Sequence, residues 1–357
     1  MIRRSASRRL GLGRIFAAAT GGVCLIAACE VPTSLPQWET TWVVSGDEVT
    51  MSVREILPAS VTLAEGASVF ESSLDGASFG RTLVELCADC GASIGTTAFK
   101  PAFTATFGDT VPLPKDVVSA TIASGAIIVR LTNELGFDPI RPSADSFGTI
   151  RVRAVSNGEV LAEDTVDGEA EAFPTGEERE VTLALQGSAV SHSIEFEITV
   201  DSPEGDPVFM DAGASLEVEV APGVIGIRQA EIGFTRGTVL FQPMDLDLTG
   251  LDEIATERIR GGALRLRTHN PMAVVGEVDI RIVADDVTIE RPAAIDSGSS
   301  DLRIPVMGAE IRSLAGKVAT ISASGIISAP SGRVTVTPVH VLVIEAELEL
   351  ILGPKED

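Results

Sequence analysis

The sequence predicts an all-β protein of two tandem antiparallel β-sandwich units, fibronectin- or immunoglobulin-like, behind an N-terminal signal helix. Three observations predict it. Apolar residues recur with a period of two, in Val181, Leu183 and Leu185, in Ile194, Phe196, Ile198 and Val200, and in Leu216, Val218 and Val220. That is the pattern of strands with one buried face. Between such runs stand Asn157-Gly158, Asp167-Gly168, Glu204-Gly205 and Pro222-Gly223, pairs that supply the backbone angles of tight turns. The third observation is an internal repeat, in which the segment from Ile122 to Asn133 matches that from Ile259 to Asn270, with Gly125 against Gly262, Arg130 against Arg267 and Asn133 against Asn270. The next strands also correspond, Phe147-Gly148-Thr149 to Arg153 against Val275-Gly276-Glu277 to Arg281. Each copy follows a short turn of helical character, Lys115 to Val118 and Asp252 to Ala255. Two related β-units are the simplest source of such a repeat.

From the N-terminus, Arg3, Arg4, Arg8, Arg9 and Arg14 precede an apolar stretch, Ile15 to Ala28, that is too short to span a membrane. Residues 1–28 therefore read as a signal peptide. Its end, Leu25-Ile26-Ala27-Ala28-Cys29, resembles the lipobox of bacterial lipoproteins. The resemblance implies cleavage after Ala28, a diacylglycerol on the Cys29 sulfur and an acyl chain such as palmitate on the new amino group. Ser7-Arg8-Arg9-Leu10-Gly11-Leu12 resembles a twin-arginine export motif, with Gly11 where that family prefers an aromatic; a basic leader alone also accounts for these arginines. Glu30 rather than Asp follows Cys29, which in a cell with two membranes implies anchoring in the outer one. Residues 29–46, with prolines at 32 and 36 and tryptophans at 38 and 42, read as a tether leading into the first strand. Residues 47–236 then form the first unit, with extra N-terminal strands, and 237–357 the second.

Without the leader the chain keeps 22 basic and 51 acidic residues, a net charge of −29. Such a surface repels nucleic acid and anionic headgroups, so membrane attachment falls to the Cys29 lipid. Aromatic residues make up 4% and tyrosine is absent. This speaks against a transmembrane barrel with aromatic girdles and weakens a carbohydrate-binding reading.

The strand that ends in Asn270-Pro271, followed by an alternating strand, resembles the water-stress and hypersensitive-response type of β-sandwich, a relative of the late-embryogenesis-abundant domains. The first copy has Asn133-Glu134 at that place. The resemblance implies a fibronectin-like sandwich and carries no catalytic residue with it.

Few residues are candidates for chemistry. Cys87 and Cys90 are a pair expected to form a disulfide in an oxidising compartment. Neither a redox helix nor further zinc ligands stand nearby in sequence. Gly76-Ala77-Ser78-Phe79-Gly80 fits the nucleophile-elbow pattern, and His192, His269 and His340 follow in hydrolase order, but the elbow needs a strand-to-helix turn under a parallel sheet. His340 reads as part of a strand from Val339 to Ile344. Asp245 and Asp247 imitate part of a calcium loop, with Thr256 where a bidentate Glu belongs; alternating Asp and Leu also describes an edge strand with an acidic outer face. Asp164, Asp167, Glu169 and Glu171 form a second acidic cluster.

These residues lead to a non-enzymatic, lipid-anchored cell-envelope protein that acts through protein contacts and needs no cofactor. The alternative is a carrier of a lipid or other hydrophobic ligand, since apolar residues line cavities as readily as they fill cores. A serine hydrolase built on Ser78 comes third.

Overall fold

The computed structural model describes residues 39–354; the leader, Cys29 and the tether up to Trp38 lie outside the described residues. Antiparallel strands dominate, and they form two sandwiches as expected. In the first, a small sheet of Glu178–Ala184, Ala126–Glu134, Ser215–Val220 and Ala77–Thr82 faces a large curved sheet. That sheet includes Glu159–Asp167, Thr149–Ser156, Ser193–Ser202, Phe103–Pro112, Val117–Ser124 and Gly223–Gly233. Asn157 and Gly158, both with positive φ, make the two-residue turn of the Thr149–Ser156/Glu159–Asp167 hairpin.

The second sandwich departs from the expected boundaries. Its first sheet is ordered Thr40–Ser52, Val341–Leu352, Ile259–Asn270, Gly298–Met307. Thr40–Ser52 is thus neither the end of a tether nor an extra strand of the first unit. It pairs along its length with the last strand, from Thr40 opposite Leu352 to Ser52 opposite Val341. The physical reason is edge complementarity. Val49 and Met51 alternate into the same core as Ile344, Leu348 and Leu350, and a bulge between Ser45 and Glu48 keeps that phase. Residues of the first sandwich are therefore inserted between the first strand of the second sandwich and the rest of it. The facing sheet holds Val318–Ser328, Val275–Ala284 and Val287–Ile295, with the short strands Gly237–Leu240 and Met244–Asp247 both on Val318–Ser328.

The repeat has a structural meaning. Ala126–Glu134 and Ile259–Asn270 are both inner strands of their sheets, and each carries a buried asparagine at its end, Asn133 next to last and Asn270 last. Asn133 Nδ2 donates to the Phe137 and Phe173 carbonyls, and Asn270 Nδ2 to those of Val274 and Asp296. Each amide thus ties its strand end to the loop four residues on and to a second, distant loop. The repeated arginines also correspond: Arg130 lies between Glu180 and Glu219, and Arg267 between Asp301 and Glu345. Gly148 and Gly276 begin matching strands where a Cβ would stand 2.1 and 2.2 Å from a carbonyl of the neighbouring strand, so only glycine fits. Of the two turns before the copies, Asp252 caps a short helix, Glu253–Glu257, through the Ala255 N–H. Lys115–Asp116 is a simple turn with Asp116 at φ 73°.

The sandwiches join where Arg333–Val336 pairs with the end of Gly223–Gly233 and Val53 N–H donates to the His340 carbonyl at 3.1 Å. His340 sits just before the strand Val341–Leu352, not inside one as the sequence suggests. From this junction the second sandwich runs the length of Val341–Leu352, roughly 36 Å, to the end where Thr40 enters. In the first sandwich, Ile232 pairs with Val117 near the junction, and Pro112 pairs with Ser193. The same ladder ends about 30 Å on, at Phe103 opposite Ser202.

Candidate functional site

Ser78 lies exposed near the start of the antiparallel edge strand Ala77–Thr82, with four residues between it and the one-turn helix Leu83–Leu86, and so not at a strand-to-helix turn under a parallel sheet. His192 occupies a turn of the first sandwich at φ 61°. His269 belongs to a sheet of the second, where its Nδ1 meets Ser299 Oγ at 3.1 Å. His340 lies at the junction, where burial pushes its pKa down. The structure thus places these four residues on separate elements.

Asp245 and Asp247 stand exposed on the short strand Met244–Asp247, the edge-strand alternative of the sequence reading. Asp245 accepts from Thr320 Oγ1 at 3.1 Å, and Asp247 from the Thr249 N–H at 2.9 Å and its hydroxyl. Those bonds hold the Asp247 carboxyl below its usual pKa. Glu171 of the second acidic cluster pairs with Arg179 at 3.1 Å. Among the described residues no group of three or more His, Cys, Asp or Glu could hold a metal ion.

Among the described residues two concavities bear on ligand binding. An apolar one between the sheets of the second sandwich, lined by Phe241, Leu266, Ile280 and Ile344 among others, has a volume of ≈ 20 Å³, about the room of one water molecule. A polar groove of ≈ 260 Å³ lies on the outer face of the large sheet, with Ser119, Thr121, Ser191, Gln229, Glu231 and Thr335 along it.

The most unusual surface is the far end of the first sandwich. Thr97–Lys100 and Gly205–Phe209 form a two-stranded ribbon there, with Phe99 opposite Pro207 and Thr97 opposite Phe209. Opposed residues share a face, so Phe99, Pro207, Phe209 and Thr97 point one way and Ala98, Val208 and Lys100 the other. The aromatic face is the outer one: Phe99 is 68% and Phe209 55% exposed, while Lys100 is fully buried. Its ammonium donates to the carbonyls of Pro101 and Pro203 and lies 4.8 Å from the ring centre of Phe103 and 5.5 Å from that of Phe137. Burial lowers its pKa from 10.5 to about 8, partly offset by Glu204. No sequence pattern marked this ribbon, because four residues are too few for a periodic signal.

The ribbon rests on braced loops. Cys87 and Cys90 are joined as a disulfide, both buried, in the helical turns after Ala77–Thr82. Asp206 N–H donates to the Pro142 carbonyl at 3.2 Å. Asp138 holds the same loop by accepting from the Ile140, Arg141 and Phe173 N–H groups. Arg141 in turn lies 5.5 Å from the ring of Phe147, which is 46% exposed.

Lys100 gives a pH prediction. Below pH 8 the lysine is protonated in both folded and unfolded chains. Between about 8 and 10.5 the folded form has lost its proton while the unfolded form keeps it, so stability rises with pH across that window, by at most about 3 kcal/mol. Tyrosine, which would titrate nearby, is absent. Urea unfolding between pH 7.5 and 10.5 should show the rise in the wild type and not in Lys100→Met; equal slopes would exclude Lys100 as its source.

The fold and this site define a class: an all-β protein of two sandwiches that carries an apolar ribbon at one end. No family model matches the chain, and no curated protein matches it in sequence. Solved structures similar to it include a protein described as secreted from Parabacteroides distasonis, 10% identical, covering 87% of this chain and 99% of its own, with a TM-score of 0.31. The N-terminal CBM22-1-CBM22-2 tandem domain of Paenibacillus barcinonensis Xyn10C is also 10% identical, with coverages of 88% and 99% and a TM-score of 0.16. The infectious bursal disease virus Gx strain structure is 11% identical, with 90% and 80% covered and a TM-score of 0.19. At such scores these likenesses carry no argument about activity.

Proposed function

We propose that the chain is an exported lipoprotein, held by a lipid on Cys29 in the outer membrane of a two-membrane cell, whose sandwiches present a binding end to another envelope protein. The observation that carries this reading is the nested topology. The chain enters the second sandwich at Thr40, at the end away from the junction, while the exposed ribbon lies at the end of the first sandwich away from it. Eleven residues, 29–39, separate the lipid from Thr40 and span at most ~38 Å of extended chain, which bounds how far the Thr40 end of the second sandwich can stand from the anchor. The resemblance to the water-stress type of sandwich, which carries no catalytic residue with it, fits a role without catalysis. A net charge of −29 after cleavage disfavours nucleic acid as a partner. The ≈ 20 Å³ apolar cavity counts against the carrier alternative, since a lipid chain needs many times that space.

The test is palmitate labelling of wild type and Cys29→Ala side by side, with and without globomycin. The expected outcome is label on the wild type alone, with the unprocessed form accumulating under globomycin and the variant leaving the membrane fraction. Equal labelling, or none in either, would overturn the anchoring.

A further inference from the structure

We infer that the outer face of the ribbon, built on Phe99, Pro207 and Phe209, is the docking surface for an envelope protein that offers an apolar pocket rimmed by basic side chains. This deepens the reading above by giving the partner's chemistry.

The first argument is polarity. Because the side-chain period of a strand is two, a slip of one residue would bury the phenylalanines and release the lysine to water. The fold takes the opposite arrangement: the ammonium of Lys100 is buried on two carbonyls and two rings, and two aromatic rings face solvent. Local rules broken in this way mark positions kept for function, and exposed aromatics on a supported surface are the usual anchors of binding. The disulfide in the turns that lead into the ribbon, the Gly95–Met210 and Met210–Thr96 hydrogen bonds at its base and the Asp206–Pro142 hydrogen bond limit the ordering cost of association.

The second argument is charge. Glu204, Asp206 and Asp211 stand exposed on or beside the ribbon's second strand. No basic residue occurs between Asp201 and Arg228, or between Arg81 and Lys100. The one lysine of the ribbon is inside, and Arg141, next to the Pro142 that Asp206 bonds, commits its guanidinium to the Gly168 and Glu169 carbonyls. A docking partner therefore meets rings flanked by carboxylates, and complementarity calls for Lys or Arg around its pocket. An anionic bilayer is repelled by the same carboxylates.

The probe is a fluorescent amphipathic Lys/Leu peptide, with a Glu/Leu peptide of the same pattern as control, titrated into the purified full chain and read by anisotropy. Phe99→Ser/Phe209→Ser should weaken the Lys/Leu peptide at least tenfold at unchanged thermal unfolding. Glu204→Lys/Asp206→Lys, which leaves the rings in place, should weaken it severalfold, and the Glu/Leu peptide should not bind. Undiminished binding by the serine double variant would mean charge attraction alone and overturn the proposal. So would Phe-dependent binding to phosphatidylcholine vesicles in place of the peptide, or Phe-dependent dimerisation of the chain. The peptide assay is independent of Cys29, so loss of docking with palmitate labelling intact removes this inference alone, and the converse removes only the anchor.

Discussion

Asn133→Ala is expected to destabilise the first sandwich by about 3–5 kcal/mol, lowering its unfolding temperature by about 10 °C. The Asn133 amide is fully buried. It donates to the Phe137 and Phe173 carbonyls at 2.9 and 2.6 Å, and its Oδ1 accepts the Leu135 N–H at 2.9 Å. Alanine leaves three backbone groups without these partners in a buried site, each costing about 1–3 kcal/mol. The matched residue in the second sandwich supplies an internal control. Asn270 Nδ2 has the equivalent two carbonyls, but its Oδ1 is buried with no partner. Asn270→Ala removes that unmet acceptor along with the two bonds and should therefore cost less, about 2 kcal/mol. Hydrogen exchange followed by mass spectrometry reads the sandwiches separately. Equal losses at the two asparagines would mean that the hydrogen-bond difference between them does not govern stability.

The second large effect concerns the nested strand. A chain starting at Val53, or residues 237–357 expressed alone, should fail to form a stable second sandwich. Either lacks Thr40–Ser52, and with it the burial of Val49 and Met51, worth about 3–5 kcal/mol. It also leaves the whole edge of Val341–Leu352 unpaired, an invitation to aggregation. Exchange protection of Ile259–Asn270 and Val341–Leu352 should collapse, while Ser193–Ser202 in the chain starting at Val53 keeps its protection. A synthetic peptide covering 39–53, added in trans, should restore the second sandwich by strand addition. Full protection in the shortened chain without peptide would show that Thr40–Ser52 contributes nothing to folding.

The sequence alone determined the elements. Alternation in Ile194, Phe196, Ile198 and Val200 placed a strand and its buried face, Asn157-Gly158 placed a hairpin turn, and the repeat located two equivalent inner strands with their asparagines. These signals are local: a period of two and a positive-φ turn are written within a few residues of each other. The edge-strand alternative at Asp245 and Asp247 was legible for the same reason.

Only the tertiary structure decided which elements belong together. In the sequence Thr40–Ser52 divides between the tether, which ends at 46, and the start of the first unit, yet it is one strand that completes the second, because its partner lies some 300 residues away and pairing depends on which open edge has the matching apolar phase. The ribbon is the sharper case. By polarity, Thr97-Ala98-Phe99-Lys100 reads with phenylalanine in and lysine out, and the fold reverses it. The carbonyls of Pro101 and Pro203 and the rings of Phe103 and Phe137 converge on the ammonium only after distant loops have packed, so the groups that receive it are written nowhere near Lys100 except at Pro101 and Phe103.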